Sequence, residues 1–557
     1  MLFTANARIA VSRSVVALGR RRALHQSAAL RKPPALDSQP VSGSAPAPPP
    51  PPGLSPEARK APKESGTISA VFATLSGGSL AESLPPRFLD VKRGLVQSPA
   101  HAEALQRAWT EVLSSLEGET DEIIAKGSAL IPQIHYPGDD VVEHAKVQDW
   151  VDQGTLDNLK KRGAVIVKGV VEQDKALGWK QAIRDYVKLN PQTKGFPDDN
   201  PQVYELYWSK AQLAARSHPS LLNASRAMLS LFHAPSQTEE RSAFSQTPPP
   251  ELSVSLQNPL TYSDRLRIRL PGDSTFALGP HIDGGGVERW EDPTFRGCWS
   301  DILELKRGAI DWTSHDSWSL GPAAQRLGAK TDMYNGPGAC SVFRPLQGWL
   351  SMSETKADEG TLRVLPLLTQ STAYIILRPF FKPVRPRSQF ATQRDYLRAD
   401  NWTFDLDDPH FPGCTLGRNI ELSNDTHPHL RLDDAMTSIP KVEPGDMALW
   451  HCDLVHAVEA QHRGAPGKDS SVMYIPAIPL TRANFDYVRQ QREAFEAGTP
   501  PSDFPGGEGE SRHNGRGTPV DITSTIGRRA MALDAFATTS DMPDAERQLI
   551  ELCNSQV

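Results

Sequence analysis

The sequence predicts a mainly β fold with helical flanks: an α+β chain whose core is a closed or sandwiched antiparallel sheet, buttressed by N-terminal helices. Two observations carry this. Up to about residue 250, apolar residues recur at three- and four-residue steps; beyond it they fall into short β-branched or alternating runs separated by Gly, Pro and Asp. A hydrophobic fraction of 38% and a charged fraction of 23% are those of an ordinary globular protein.

Residues 1–32 carry Arg8, Arg13, Arg20, Arg21, Arg22, Arg31 and Lys32, and no acid precedes Asp37. That composition predicts a mitochondrial transit peptide, read by the import machinery and leading to the matrix, with the cytoplasm as the alternative location. Residues 33–98 read as a Pro-rich disordered linker, since "APAPPPPPGLSP" cannot build a core. The mostly helical part spans 99–250. Leu105, Trp109, Val112 and Leu116 mark a helix over 99–132. "VQDWVDQGTLDNLKKRG" repeats that character, "AVIVKGVV" (164–171) reads as a buried strand, and "KALGWKQAIRDYVKLNP" is a helix stopping at Pro191. Helical character continues over 203–233.

The β core with inserted loops spans 251–497. "RLRIRL" (265–270) alternates as a strand with one wet face does. Further predicted strands are "CSVFRPL", "GTLRVLPLL", "TAYIILRPFF", "DMALWHCDLVHAVEA" and "SSVMYIPAIPL", while 386–440 reads as a polar insertion. Residues 498–557 read as a low-complexity loop followed by a C-terminal helix.

Sixty basic and 66 acidic residues leave a net charge of −6, which argues against nucleic acid as a partner. No apolar run approaches the roughly 18–20 residues that span a bilayer. The five cysteines are scattered and form no CxxC pair, so neither a disulfide framework nor a structural zinc site is expected.

The chemistry concentrates in two segments. In "LGPHIDGGGVERW", His281 and Asp283 are two apart and project from one face of a strand. The three glycines that follow let backbone approach a ligand closely. "PGDMALWHCDLVHAVEA" offers His451 and His456 as a third ligand. Two imidazoles and one carboxylate on one face of an octahedron form the facial triad of non-haem Fe(II) oxygenases, which leaves three positions open. Arg267 and Arg269 share a strand face, and Trp290 follows the metal loop; these are candidate substrate contacts. Glu288, Arg289, Arg344, Gln347 and Trp349 are further candidates for the rim.

"GPHIDGG", "EGTLRVLP" and "PGDMALWHCDLVHAVEA" resemble the three signposts of the phytanoyl-CoA-hydroxylase-like branch of 2-oxoglutarate oxygenases. In that branch the distal His follows a Gly-Asp by about ten residues, and counting from Asp446 selects His456, which leaves His451 as a supporting or packing residue. "RLRIRLPGDSTFALGPHIDGGGVERWEDP", "FRPLQGWLSMS", "LRPFF" and "VMYIPAIP" are similar to segments of an uncharacterised bacterial and fungal family placed in this superfamily. The resemblance covers roughly residues 100–500. It implies a double-stranded β-helix (jelly roll), Fe(II), and 2-oxoglutarate with dioxygen as cosubstrates, hydroxylating a small polar or anionic molecule. Where relatives show Arg-x-Ser, this chain has Lys468, Asp469 and Ser470. Lys468 and Ser470 are therefore the first candidates to hold 2-oxoglutarate, with Arg463 and Arg344 as alternatives. The rival reading is a cupin-like metal- or ligand-binding protein without turnover.

Overall fold

A computed structural model of the chain describes residues 84–138, 145–233, 252–274, 277–321, 324–336, 339–540 and 542–557, all within one compact unit, Ala61–Val557. The transit-peptide reading of 1–32 and most of the 33–98 linker lie outside them. Residues 84–98 do not, and they correct the linker reading: Arg87–Gly94 is a helix with Phe88 fully buried.

The helix Pro99–Lys126 starts where Ser98 accepts a hydrogen bond from the His101 N–H, with proline at its first position, and ends at Gly127. Its apolar stripe buries Leu105, Trp109, Val112 and Leu116. Trp109 stacks on Phe381 at 4.3 Å and on Tyr374 at 5.2 Å between ring centroids. The next helix, Gln153–Arg162, is capped by Asp152 and stopped by Gly163 in the left-handed region. No described helix is long and apolar enough to cross a membrane.

The strands are β1 (Gln133–His135), β2 (Ala164–Lys168), β3 (Gly195–Phe196), β4 (Val203–Tyr204), β5 (Val254–Leu260), β6 (Leu266–Arg269), β7 (His281–Ile282), β8 (Leu346–Ser351) and β9 (Leu362–Val364). They continue with β10 (Phe381–Pro383), β11 (Trp402–Phe404), β12 (Ile420–Glu421), β13 (Thr437–Ser438), β14 (Met447–His451), β15 (His456–Val458), β16 (Ser470–Tyr474) and β17 (Ile478–Thr481). A large sheet has the order β1-β2-β14-β8-β16-β6-β4-β3, and a small sheet the order β12-β7-β15-β9-β13. β1 and β2 are parallel; the other pairs in both sheets are antiparallel. From β6 to β9, successive strands alternate between the sheets, and from β13 to β16 they do so again.

The architecture is therefore mixed α/β, with two main sheets and helices packed outside them. β2, β8, β14 and β16 share a core with the helices Gln173–Leu189 and Pro219–Leu229. The outward residues Ile282, Ile420 and Ala457 of the small sheet share another with Pro99–Lys126.

Several predicted elements change type. "TAYIILRPFF" is mostly the helix Leu368–Leu377, almost entirely buried, because a short apolar run suits a fully enclosed helix as well as a strand. "CSVFRPL" is irregular, and β8 begins only at Leu346. Residues 203–204 are strand, not helix. The predicted wet face of β6 is enclosed: Arg267 and Arg269 are both buried. The 386–440 insertion carries β11 and β12, and the tail from 524 forms two helices, Thr525–Ala530 and Asp544–Asn554. Residues 498–520 are pinned by Glu510, which is buried and accepts from the Tyr207 and Trp208 N–H groups at 2.6 and 2.8 Å and from the Tyr186 hydroxyl.

Burial holds four histidines neutral. It pushes His315 and His451 down to about 4 and His429 to about 3, and His427 well below its usual value. The unfolded chain binds protons at these imidazoles below about pH 6.5, while the folded chain does not, so stability falls as pH drops from about 6.5 to about 4. Glu510, pushed up to about 7 by burial, acts in the opposite sense and offsets part of that loss. The melting temperature should therefore be lower at pH 5 than at pH 7. Equal melting temperatures would contradict this account.

Candidate metal centre

His281 and His456 are cross-strand partners in register on β7 and β15. Side chains alternate along a strand, so His281 and Asp283 point inward while Ile282 points to the outer core. His456 and Val458 likewise flank the outward Ala457. The two imidazole rings lie 4.2 Å apart between centroids. His281 Nε2 is 3.7 Å from Asp283 Oδ1, and His456 Nε2 is 3.6 Å from Asp283 Oδ2.

Each ring is oriented from behind. His281 Nδ1 donates to the Gly279 carbonyl at 2.7 Å, and His456 Nδ1 to the Leu454 carbonyl at 3.0 Å. That fixes the tautomer and turns both Nε2 lone pairs toward Asp283. Asp283 Oδ1 accepts from Asn419 at 2.7 Å; Oδ2 accepts from Gln347 at 3.0 Å and faces Arg344 at 3.5 Å. Burial pushes the His281 imidazole down to about 4, helped by His456. Burial works against the Asp283 charge, but His456, His281 and Arg344 outweigh it and hold the carboxyl below the usual carboxylate range.

This donor set fits a divalent transition metal: two imidazoles and one ionised carboxylate, with their ligand atoms all within 4.8 Å of one another. Donors bonded at about 2.1 Å and lying cis stand about 3 Å apart. The 3.6 and 3.7 Å separations therefore close with small side-chain rotations. The described residues also bring His451, Cys452 and Asp453 together, but these suit a metal poorly. His451 donates from Nε2 to the Ser317 carbonyl, and its Nδ1 accepts the Asp453 N–H, so both ring nitrogens are occupied. Its ring stacks on Phe232. Burial pushes the Cys452 thiol up to about 12, and Asp453 is bound by Arg289 and Arg326, each at 2.8 Å. His451 is a packing residue.

A cavity of about 170 Å³ opens on the centre. Arg267, Trp349, Val472 and Tyr474 line it from the large sheet, and His281, Leu362, His456 and Val458 from the small one. Asp503, Phe504 and Pro505 of the C-terminal segment wall its other side. Arg267 donates to the Gly360 carbonyl at 3.2 Å and to Ser470 Oγ at 3.4 Å. Arg344 and Gln347 also line the cavity.

The other predicted contacts lie elsewhere. Lys468 is exposed and pairs with Glu354 at 3.1 Å; Arg463 is exposed beside Asp358. Both sit on the turn before β16, which faces solvent. Arg269 ties loops together, binding Asp273 and the Glu459 and Ala460 carbonyls. Trp290 lies in the core, donating to the Ile376 carbonyl. Asn419 was not visible in the sequence because it belongs to the polar insertion. Its approach depends on Gly286, where a Cβ would stand 2.4 Å from the Arg418 carbonyl.

The fold and site define a mixed α/β protein with a buried His/Asp/His candidate metal centre between two sheets. The chain belongs to the Gig2-like family, whose pattern matches residues 82–533. It is similar to the uncharacterized protein YbiU of Escherichia coli strain K12, 30% identical over 477 residues, covering 83% of this chain and 99% of that one. Among solved structures, GlcNAc Inducible Gene 2 of Candida albicans is 29% identical with a TM-score of 0.71, covering 86% of this chain and 96% of that one. A Salmonella typhimurium LT2 protein described as a candidate oxidoreductase is 27% identical with a TM-score of 0.62, covering 81% and 98%.

His281→Ala, Asp283→Ala and His456→Ala should each abolish binding of one ferrous ion, measured by anaerobic titration with metal analysis, while circular dichroism stays unchanged. His451→Ala should keep the ion and lower the melting temperature. Loss of iron in His451→Ala with retention in His456→Ala would reverse the assignment.

Proposed function

We propose that this protein is a non-haem iron oxygenase that consumes 2-oxoglutarate and dioxygen, built on a double-stranded β-helix and acting in the mitochondrial matrix. The observation that carries the reading is the convergence of two tautomer-fixed imidazoles and one carboxylate on a cavity between two sheets. The strand alternation supports the fold assignment. Counted along the eight alternating strands, β6 to β9 and β13 to β16, the His-x-Asp begins on the second and the distal His on the seventh, and these two are neighbours in the small sheet. The description of the Salmonella relative points the same way. The composition of residues 1–32 supports the location.

Bound ferrous iron supplies the site where dioxygen is coupled to the 2-oxo acid; one oxygen atom enters the succinate carboxylate as carbon dioxide leaves, and the other enters a substrate C–H bond as hydroxyl. His281, Asp283 and His456 would hold the ion through two imidazole nitrogens and one carboxylate. Asn419 and Gln347 keep the Asp283 carboxylate from rotating.

Arg267 replaces Lys468 as the residue that would receive the far carboxylate of the 2-oxo acid. Burial pushes its pKa down, and Arg269 adds to that, so an entering anion stabilises the charge. Ser470 supports it from the adjacent strand, and Tyr474 offers a second donor. Leu362, Val458 and Val472 keep water from that end. Arginine on β6 thus takes the part that related enzymes assign to an arginine beyond the distal histidine.

Iron-loaded protein should release succinate from 2-oxoglutarate. Arg267→Gln should raise the 2-oxoglutarate concentration for half-maximal turnover at least ten-fold, about 1.4 kcal/mol, while Lys468→Ala leaves it unchanged. Iron-loaded protein that fails to bind 2-oxoglutarate by calorimetry would overturn the reading.

A further inference from the structure

A second cavity of about 120 Å³ adjoins the first and shares Asp283, Cys340, Arg344 and Gln347 with it. An occupant of that space touches the wall that carries the metal centre's carboxylate. The polar side of this cavity is basic. Arg289 and Arg326 both reach Asp453, and all three side chains are buried, which leaves one net positive charge. Arg289 spends Nη1 on Asp453 and Nη2 on the Asp283 and Gly284 carbonyls, and its Nε has no hydrogen-bond partner among the described residues. Among the described residues, Arg326 Nη1 reaches only the Cys452 sulfur, at 3.9 Å, as a hydrogen-bond partner. Phe295, Leu327, Ala329, Val342 and Phe343 make much of the remaining lining apolar.

A buried guanidinium with unfilled donors is costly, and an anion that accepts from it removes that cost. One net charge favours a monoanion, and the apolar lining favours a short hydrocarbon body. We infer that this second cavity binds a small monocarboxylic acid, its carboxylate at Arg289 and Arg326 and its hydrocarbon body against Phe295, Leu327, Val342 and Phe343; that this acid is the molecule oxidised rests on the oxygenase reading above. The two anions then sit at separate arginines, the 2-oxo acid at Arg267 and the substrate at the Asp453 pair.

The test is anaerobic calorimetry of the iron-loaded protein with 2-oxoglutarate present, titrated with sodium pentanoate, pentanamide or pentylamine. Pentanoate should bind at least ten-fold more tightly than the amide or the amine. Ala329→Leu, which fills the cavity without touching the ion pairs, and Arg326→Gln should each weaken pentanoate at least ten-fold; Arg267→Gln should change it less than two-fold. Equal binding of acid and amide, or pentanoate affinity that survives Ala329→Leu, overturns the acid site. Pentanoate binding with no iron retained supports the acid site and overturns the oxygenase reading. Iron and 2-oxoglutarate bound without pentanoate overturns the acid site alone.

Discussion

Two imidazoles stand opposite one another on neighbouring antiparallel strands, each held from behind by a backbone carbonyl. His281 and His456 are 175 positions apart in the chain, yet they are register partners. A slip of one residue on either strand would turn a histidine outward and bring Ile282 or Ala457 in. The small sheet's register is set by those same outward residues, which pack under the helix Pro99–Lys126. The N-terminal helices therefore do more than cover the sheet: by burying one face of β7 and β15 they decide what the other face presents.

Charge inside the molecule is arranged around that pair. Asp283 is surrounded by donors from two segments, Asn419 and the stretch that carries Arg344 and Gln347, so its carboxylate stays ionised in a half-buried place. A few residues away, Arg289 and Arg326 bracket Asp453. Arg289 also donates to the Asp283 backbone carbonyl, which couples the metal loop to the second ion cluster. Removing one member of such a buried group is far more damaging than replacing all of them, since the rest are left uncompensated. The loop after β7 is thus held by charge on one side and by strand pairing on the other.

The triad was legible because its spacing is local chemistry: His-x-Asp on a strand, and a histidine at a fixed distance from Asp446. The switch from helical to strand character near residue 250 was legible for the same reason. Which cation reaches the cavity was not. Lys468 occupies the expected place in the sequence, but the turn that holds it faces solvent, and the cation that reaches the cavity comes from β6. Asn419 sits in a stretch with no periodicity, and only the close approach allowed at Gly286 brings it to Asp283. The helix Leu368–Leu377 was read as strand because a fully enclosed helix has no polar face to betray its period.

The C-terminal segment, compositionally plain, is held by the buried Glu510 and lays Asp503, Phe504 and Pro505 along the cavity. Asp503 binds Tyr262, just after β5, and Ser341, in the irregular segment before β8. A chain cut after Ala497 would keep every candidate ligand in sequence yet lose a side of its chamber, admitting bulk water to the candidate metal centre. Synthesis of the protein must therefore pass Glu510 before the chamber can shut.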